Sequence, residues 1–160
     1  MAISQGDAIP ETELTIVRED GPEKVPSKDF FAGRKVVLFA VPGAFTPTCH
    51  QNHMPGYVEN AAAMRERGVD EVAVTAVNDP FVMQEWGRQS GAAGKVTLIS
   101  DGNGDFARAI GMDADLSVVG FGTRSKRYAM IVDDGRVSVL NVEEGRGVTS
   151  SGAAAIMENL

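Results

Sequence analysis

Apolar residues in this chain gather into short unbroken runs and into helically spaced stripes, and the two kinds alternate. Lys35-Val36-Val37-Leu38-Phe39-Ala40 and Val72-Ala73-Val74-Thr75-Ala76-Val77 are apolar without two-residue alternation, the pattern of central strands buried on both faces. Between them Met54, Tyr57, Val58, Ala61 and Met64 recur at helical spacing, with Glu59, Arg65 and Glu66 left for the wet face. That predicts a helix running toward Gly68, bent or broken at Pro55. Asp79 followed by Pro80 predicts a capped helix entry, for a helix through Gln89 that includes Trp86. A strand is expected from Lys95 to Ser100, and a short helix from Asp105 to Ile110 stopped by Gly111. Arg127 to Val132 and Arg136 to Val142 form a predicted hairpin about Asp133-Asp134-Gly135. Upstream, a strand from Glu13 to Arg18, a turn at Glu19-Asp20-Gly21-Pro22 and a second strand near Lys24-Val25 precede a helical turn capped by Ser27 and carrying Phe30 and Phe31. A C-terminal helix, Ala153 to Met157, is expected to take Ser151 as its cap. The order of elements predicts an α/β three-layer sandwich with a mixed central sheet, in one domain over residues 1–160.

Composition narrows the class. The 160 residues are enough for a substantial core, and 43% hydrophobic with 23% charged residues is ordinary for a soluble globular chain. A net charge of −7 argues against a nucleic-acid backbone or an anionic membrane surface as partner. No apolar run reaches the roughly 18 residues of a membrane span, and the first residues lack the basic and apolar regions of a signal peptide. The single cysteine permits no internal disulfide, which agrees with a reducing compartment, so a cytoplasmic location is the expectation.

That cysteine lies in Val41-Pro42-Gly43-Ala44-Phe45-Thr46-Pro47-Thr48-Cys49-His50, directly after the first buried run. Thr46 suits an N-cap and Pro47 the first helical position, which places Cys49 in the first helical turn. Free backbone N–H groups and the macrodipole there favour a thiolate and lower the thiol pKa below its ordinary value of about 8.5. Ionisation alone has a limited return: a thiol of pKa about 8.5 is roughly 3% ionised at pH 7, so complete ionisation gains at most about 30-fold. Efficient chemistry at Cys49 needs further stabilisation, and the Thr46 hydroxyl and the Cys49 backbone N–H are nearby donors.

The spacing Pro42-xxx-Thr46-xx-Cys49 reproduces the P-x-x-x-T-x-x-C signature of the peroxiredoxins, and VPGAFTPTCHQNHMPGYVE resembles their type II branch, the relatives of peroxiredoxin five. The similarity extends through VNDPFVMQEW and FGTRSKRYAMIVDDG to the tail. It implies a thioredoxin-like fold and a thiol peroxidase that reduces hydrogen peroxide and small organic hydroperoxides through a cysteine sulfenic acid. Carried over position by position, it implies Cys49 as nucleophile, with Thr46, the Cys49 N–H and Arg127 stabilising charge as the O–O bond breaks. Arg124 is the alternative arginine. Pro42 is implied to shield the sulfur and His53 to support the pocket, while Phe45 and Phe121 are read as an apolar wall for organic peroxides.

Several type II relatives carry a resolving cysteine in a downstream loop, where this chain has Ser150 in VTSS. The resemblance therefore implies a one-cysteine enzyme recycled by an external thiol, with glutathione and glutaredoxin leading and thioredoxin the alternative. It also implies a homodimer. No cofactor is called for. Cys49 and His53 stand at a spacing that can share a metal, but one Cys and two His fall short of a four-ligand structural zinc site, so no metal is expected. Two other classes remain open: a redox sensor or relay in which Cys49 is oxidised without efficient turnover, and a non-catalytic thioredoxin-like binding module.

Overall fold

The computed structural model describes residues 2–145 and 147–160, and the side chain of Cys49 lies outside what it describes. A seven-stranded sheet runs in the order β2 (Gly21–Pro26), β1 (Glu13–Arg18), β5 (Thr97–Ser100), β4 (Glu71–Ala76), β3 (Lys35–Ala40), β8 (Tyr128–Asp133) and β9 (Arg136–Val142). The central β5, β4 and β3 are mutually parallel, and the flanking pairs are antiparallel. This is the expected mixed α/β sheet, in a thioredoxin-like arrangement. A separate two-stranded ribbon of β6 (Asp113–Asp115) and β7 (Thr123–Ser125), with a 3-10 turn at Ser117–Val119 between them, lies between Met112 and Lys126. The sequence pattern carried no sign of it.

Both faces of the sheet are covered, which explains why β3 reads as apolar throughout. Val37 and Phe39 pack with Met54, Tyr57 and Met64 of α2 (Met54–Glu66), Met83 and Trp86 of α3 (Pro80–Gln89), and Ile156 of α5 (Ala153–Met157). Val36 and Leu38 pack on the opposite face with Phe30 and Phe31 of α1 (Ser27–Phe31) and Phe106 of α4 (Asp105–Ala109). At about 1.5–3 kcal/mol for each large apolar side chain removed from water, these two layers hold β3 in place from both sides.

Local signals read from the sequence hold where the partner is near in the chain. The Asp79 side chain accepts from the Phe81 and Val82 N–H groups, and Pro80 opens α3. Asp134 and Gly135 take φ of 48° and 81° and close the hairpin of β8 and β9. Three expectations need correction. Ser27 does not cap α1: its hydroxyl donates to the Pro10 carbonyl and accepts from the Thr12 N–H. Ser151 does not cap α5, because its hydroxyl bonds Glu143 instead. Pro55 does not break its helix. It lacks an N–H, so the Gln51 carbonyl has no α-type partner, and the chain meets this with a π turn at Cys49–His53 before α2 begins.

Candidate active site

Strand register brings the site together. Ala40, the last residue of β3, lies opposite Thr75 on one side and Tyr128 on the other. The chain leaving β3 therefore runs beside Arg127, the residue before Tyr128, and enters the loop to Cys49 at the carboxyl ends of the parallel strands. Asn78, just beyond β4, fastens this loop by accepting the Ala44 N–H at 2.9 Å. From sequence Asn78 reads only as part of the helix entry at Asp79-Pro80, and its hold on the loop is visible only in the fold.

Helical geometry begins at Pro47, and the His50 N–H closes a turn on the Thr46 carbonyl at 2.8 Å. The backbone of Cys49 thus lies in the first turn, as predicted, among amides that precede the closed ladder. Thr46 is arranged differently from a side-chain cap. Its hydroxyl donates to the Gly43 carbonyl at 2.6 Å, so its one proton is committed and its remaining capacity is as an acceptor. The expected Thr46 donor is corrected to an acceptor. Phe45 has φ of 64°, a left-handed conformation that costs a bulky residue about 1–3 kcal/mol and is found where function constrains the backbone. Its ring, 39% exposed, tilts against His50 at 5.6 Å, and the His50 Nδ1 accepts from the Trp86 indole N–H at 3.1 Å.

His53 ends the π turn, is 1% exposed, and meets Arg127. The Arg127 Nη1 lies 2.9 Å from His53 Nδ1, while His53 Nε2 lies 2.9 Å from the Ser151 carbonyl. A guanidinium only donates and a carbonyl only accepts, so these neighbours select the neutral ring with its proton on Nε2. Tyr57 donates to the same Ser151 carbonyl at 2.7 Å and stacks on Phe39 with ring centroids 3.9 Å apart. Burial pushes the Tyr57 pKa up, so it remains a neutral donor. Arg124, the alternative arginine, goes elsewhere: it donates to the Phe121 carbonyl at 3.0 Å and the Pro42 carbonyl at 3.4 Å, with its guanidinium 5.2 Å from the Phe121 ring. It ties half-exposed Phe121 to the Pro42 end of the loop. Among the described residues no group of three or more His, Cys, Asp or Glu could hold a metal ion.

The His53 pKa falls from 6.5 to about 4, first because burial disfavours the cation; the Ser151 bond and the Glu143 charge oppose this, and the Arg127 charge adds to it. In the folded state His53 stays neutral where an unfolded histidine would already take a proton. Between pH 6.5 and about 4 the unfolded chain binds the extra proton, so stability falls as pH falls through that window. The loss from this group is on the order of 2–3 kcal/mol by pH 4.5. Urea unfolding at pH 7 and 4.5 is expected to show it, and His53→Asn to shrink the difference by about that amount.

The chain matches the Redoxin family model over residues 4–157. It is 46% identical to chloroplastic Peroxiredoxin-2E of Arabidopsis thaliana, over 99% of this chain and 70% of that one. It is 42% identical to Peroxiredoxin-2C of Oryza sativa subsp. japonica, over 99% of this chain and 98% of that one. This chain belongs to the peroxiredoxins. Reduced Prx3 of Vibrio vulnificus in complex with H2O2 superposes with a TM-score of 0.93 at 43% identity, covering 98% of each chain. The type II resemblance read from the motif holds, and with it the assignment of the chain as a thiol peroxidase. It is a peroxiredoxin with one cysteine, and Ser150 is half-buried beside Ser151 ahead of α5.

Proposed function

We propose that this peroxiredoxin reduces hydrogen peroxide and small organic hydroperoxides through a Cys49 sulfenic acid that an external thiol recycles. The observation that carries this reading is the Arg127 guanidinium held on neutral His53, which ends the π turn that begins at Cys49. The Cys49 thiolate attacks one peroxide oxygen; an S–O bond forms, the O–O bond breaks, and the other oxygen leaves as hydroxide or alkoxide and takes a proton. Arg127 and the Cys49 N–H donate to the oxygens as charge moves onto them, and the Thr46 hydroxyl accepts from the peroxide O–H. H2O2 in the similar Vibrio vulnificus Prx3 supports hydrogen peroxide as a substrate.

Recycling requires two thiols from outside the site. One attacks the sulfenic sulfur to form a mixed disulfide and release water, and a second frees Cys49 as the donor disulfide forms. Glutathione with glutaredoxin is the favoured donor and thioredoxin the alternative, because the chain has no second cysteine. The same chemistry suits a reducing compartment, the cytoplasm, and a single domain over residues 1–160 acting as a homodimer. Exposed Phe45, Phe81, Val119 and Phe121 supply apolar surface for that dimer. An NADPH-coupled assay tests recycling: sustained turnover with glutathione and glutaredoxin is expected, and turnover with thioredoxin alone would replace that donor. Phe121→Ala is expected to slow cumene hydroperoxide more than hydrogen peroxide, by a few-fold. Equal effects on the two substrates would remove Phe121 from substrate selection.

A further inference from the structure

We propose that Glu143 is a positioning residue for Arg127, acting through Ser151 and His53. This inference rests on the role given to Arg127 above. Glu143 immediately follows β9, and its backbone N–H donates to the Arg127 carbonyl at 2.9 Å, so the two residues are fastened at the backbone where β8 begins. Its carboxylate turns to the loop ahead of α5. There it accepts the Thr149 N–H at 3.0 Å, the Ser151 N–H at 3.1 Å, and the hydroxyls of both residues. Four donors on one carboxylate fix the loop.

What the loop delivers is the Ser151 carbonyl, aimed at His53 Nε2 and at the Tyr57 hydroxyl. That carbonyl takes the imidazole proton on Nε2, the tautomer the Arg127 guanidinium also selects from the other side. With the proton on Nε2, Nδ1 presents a lone pair to the Arg127 guanidinium; with the proton on Nδ1, two donors would face each other and this contact would be lost. The contacts form a closed circuit: Arg127 backbone to Glu143, Glu143 to Ser151, Ser151 to His53, and His53 back to the Arg127 side chain. Neither Thr149 nor Ser151 shows a local reason to hold its hydroxyl toward Glu143 other than this carboxylate. The carboxylate itself is held ionised: burial works against the charge, but the Ser151 and Thr149 bonds outweigh it and bring its pKa to about 2.

Single-turnover oxidation of Cys49 by hydrogen peroxide, measured on wild type, Glu143→Ala and Glu143→Gln, each also in an Arg127→Ala background, tests the circuit. Glu143→Ala is expected to slow oxidation by about 10-fold or more, within the 10–100-fold range usual for groups that orient a functional side chain. In the Arg127→Ala background the same change is expected to have less than about a 2-fold effect, because the positioned group is gone. Long-range 1H–15N spectra should show the His53 proton on Nε2 in wild type and, where Arg127 no longer selects the tautomer, on Nε2 in Arg127→Ala but shared in the Glu143→Ala/Arg127→Ala double variant. If Glu143→Ala does not fold, Glu143→Gln carries the test, since it keeps the volume but sets an amide NH2 against the donors. Equal slowing with and without Arg127, or the same His53 tautomer in Arg127→Ala with and without Glu143, would overturn the proposal and leave Glu143 a structural clamp. Wild-type rates in both Glu143 variants with a slow Arg127→Ala would overturn it and leave the peroxidase reading intact. A wild-type rate no faster than ionised free cysteine would instead overturn that reading.

Discussion

Cys49→Ser is expected to lower peroxide consumption to background, a loss of more than about 1,000-fold, with far-UV circular dichroism unchanged. The substitution exchanges one atom for a smaller one in a turn whose backbone is fixed from several directions. Asn78 holds Ala44, His50 closes on Thr46, and Trp86 holds the His50 ring. The proposed chemistry has no other cysteine to turn to, since the chain contains no second one. A serine hydroxyl is essentially un-ionised near neutral pH and gives no route to a sulfenic acid. Consumption at the wild-type rate would exclude Cys49 as the nucleophile and with it the cycle proposed above.

Arg127→Ala is expected to lower the single-turnover oxidation rate by about 100- to 1,000-fold, the range seen when one fixed transition-state donor is removed. The loss should be larger for peroxide than for alkylation by iodoacetamide, which also consumes the thiolate but breaks no O–O bond. Arg127→Lys should recover only part of it, because an ammonium restores charge without the planar fork that can hold His53 Nδ1 and still offer further N–H donors to the proposed substrate. An equal fall in alkylation and oxidation would assign Arg127 to thiolate formation alone.

Much of this arrangement is legible in the sequence wherever the deciding contact is local or the burial is two-sided. β3 reads as a central strand because both its faces are covered, and α3 begins where Asp79 and Pro80 say it should because the bonded amides are two and three residues away. Arg127 over Arg124 came from the family motif, and the structure supplies the physical difference. Arg127 immediately precedes the strand that lies against β3 and turns onto His53, while Arg124 rides on Phe121 in the small ribbon. What stayed hidden depends on partners distant in the chain. Ser151 is 98 residues from His53, so nothing near Ser151 revealed that its hydroxyl would leave the helix for Glu143, or that its carbonyl would set an imidazole tautomer. The π turn is hidden for another reason. Proline rules identify a disturbance at Pro55 but not whether the chain kinks, breaks or widens, and here the widened turn keeps Cys49 and His53 in one helical run. Thr46 illustrates a limit of residue type alone: a hydroxyl both donates and accepts, and only the Gly43 carbonyl decides which capacity is left for substrate.

Stabilisation of peroxide bond breaking by Arg127, Thr46 and the Cys49 amide, beyond what thiolate formation supplies, is read in the stopped-flow rate constant for hydrogen peroxide oxidation of Cys49, set against free cysteine at the same pH. The predicted result is an acceleration above about 1,000-fold, well over the roughly 30-fold available from ionisation. An acceleration within that 30-fold would remove the transition-state role of Arg127 and Thr46 and reduce the site to an ionised thiol without a preorganised pocket.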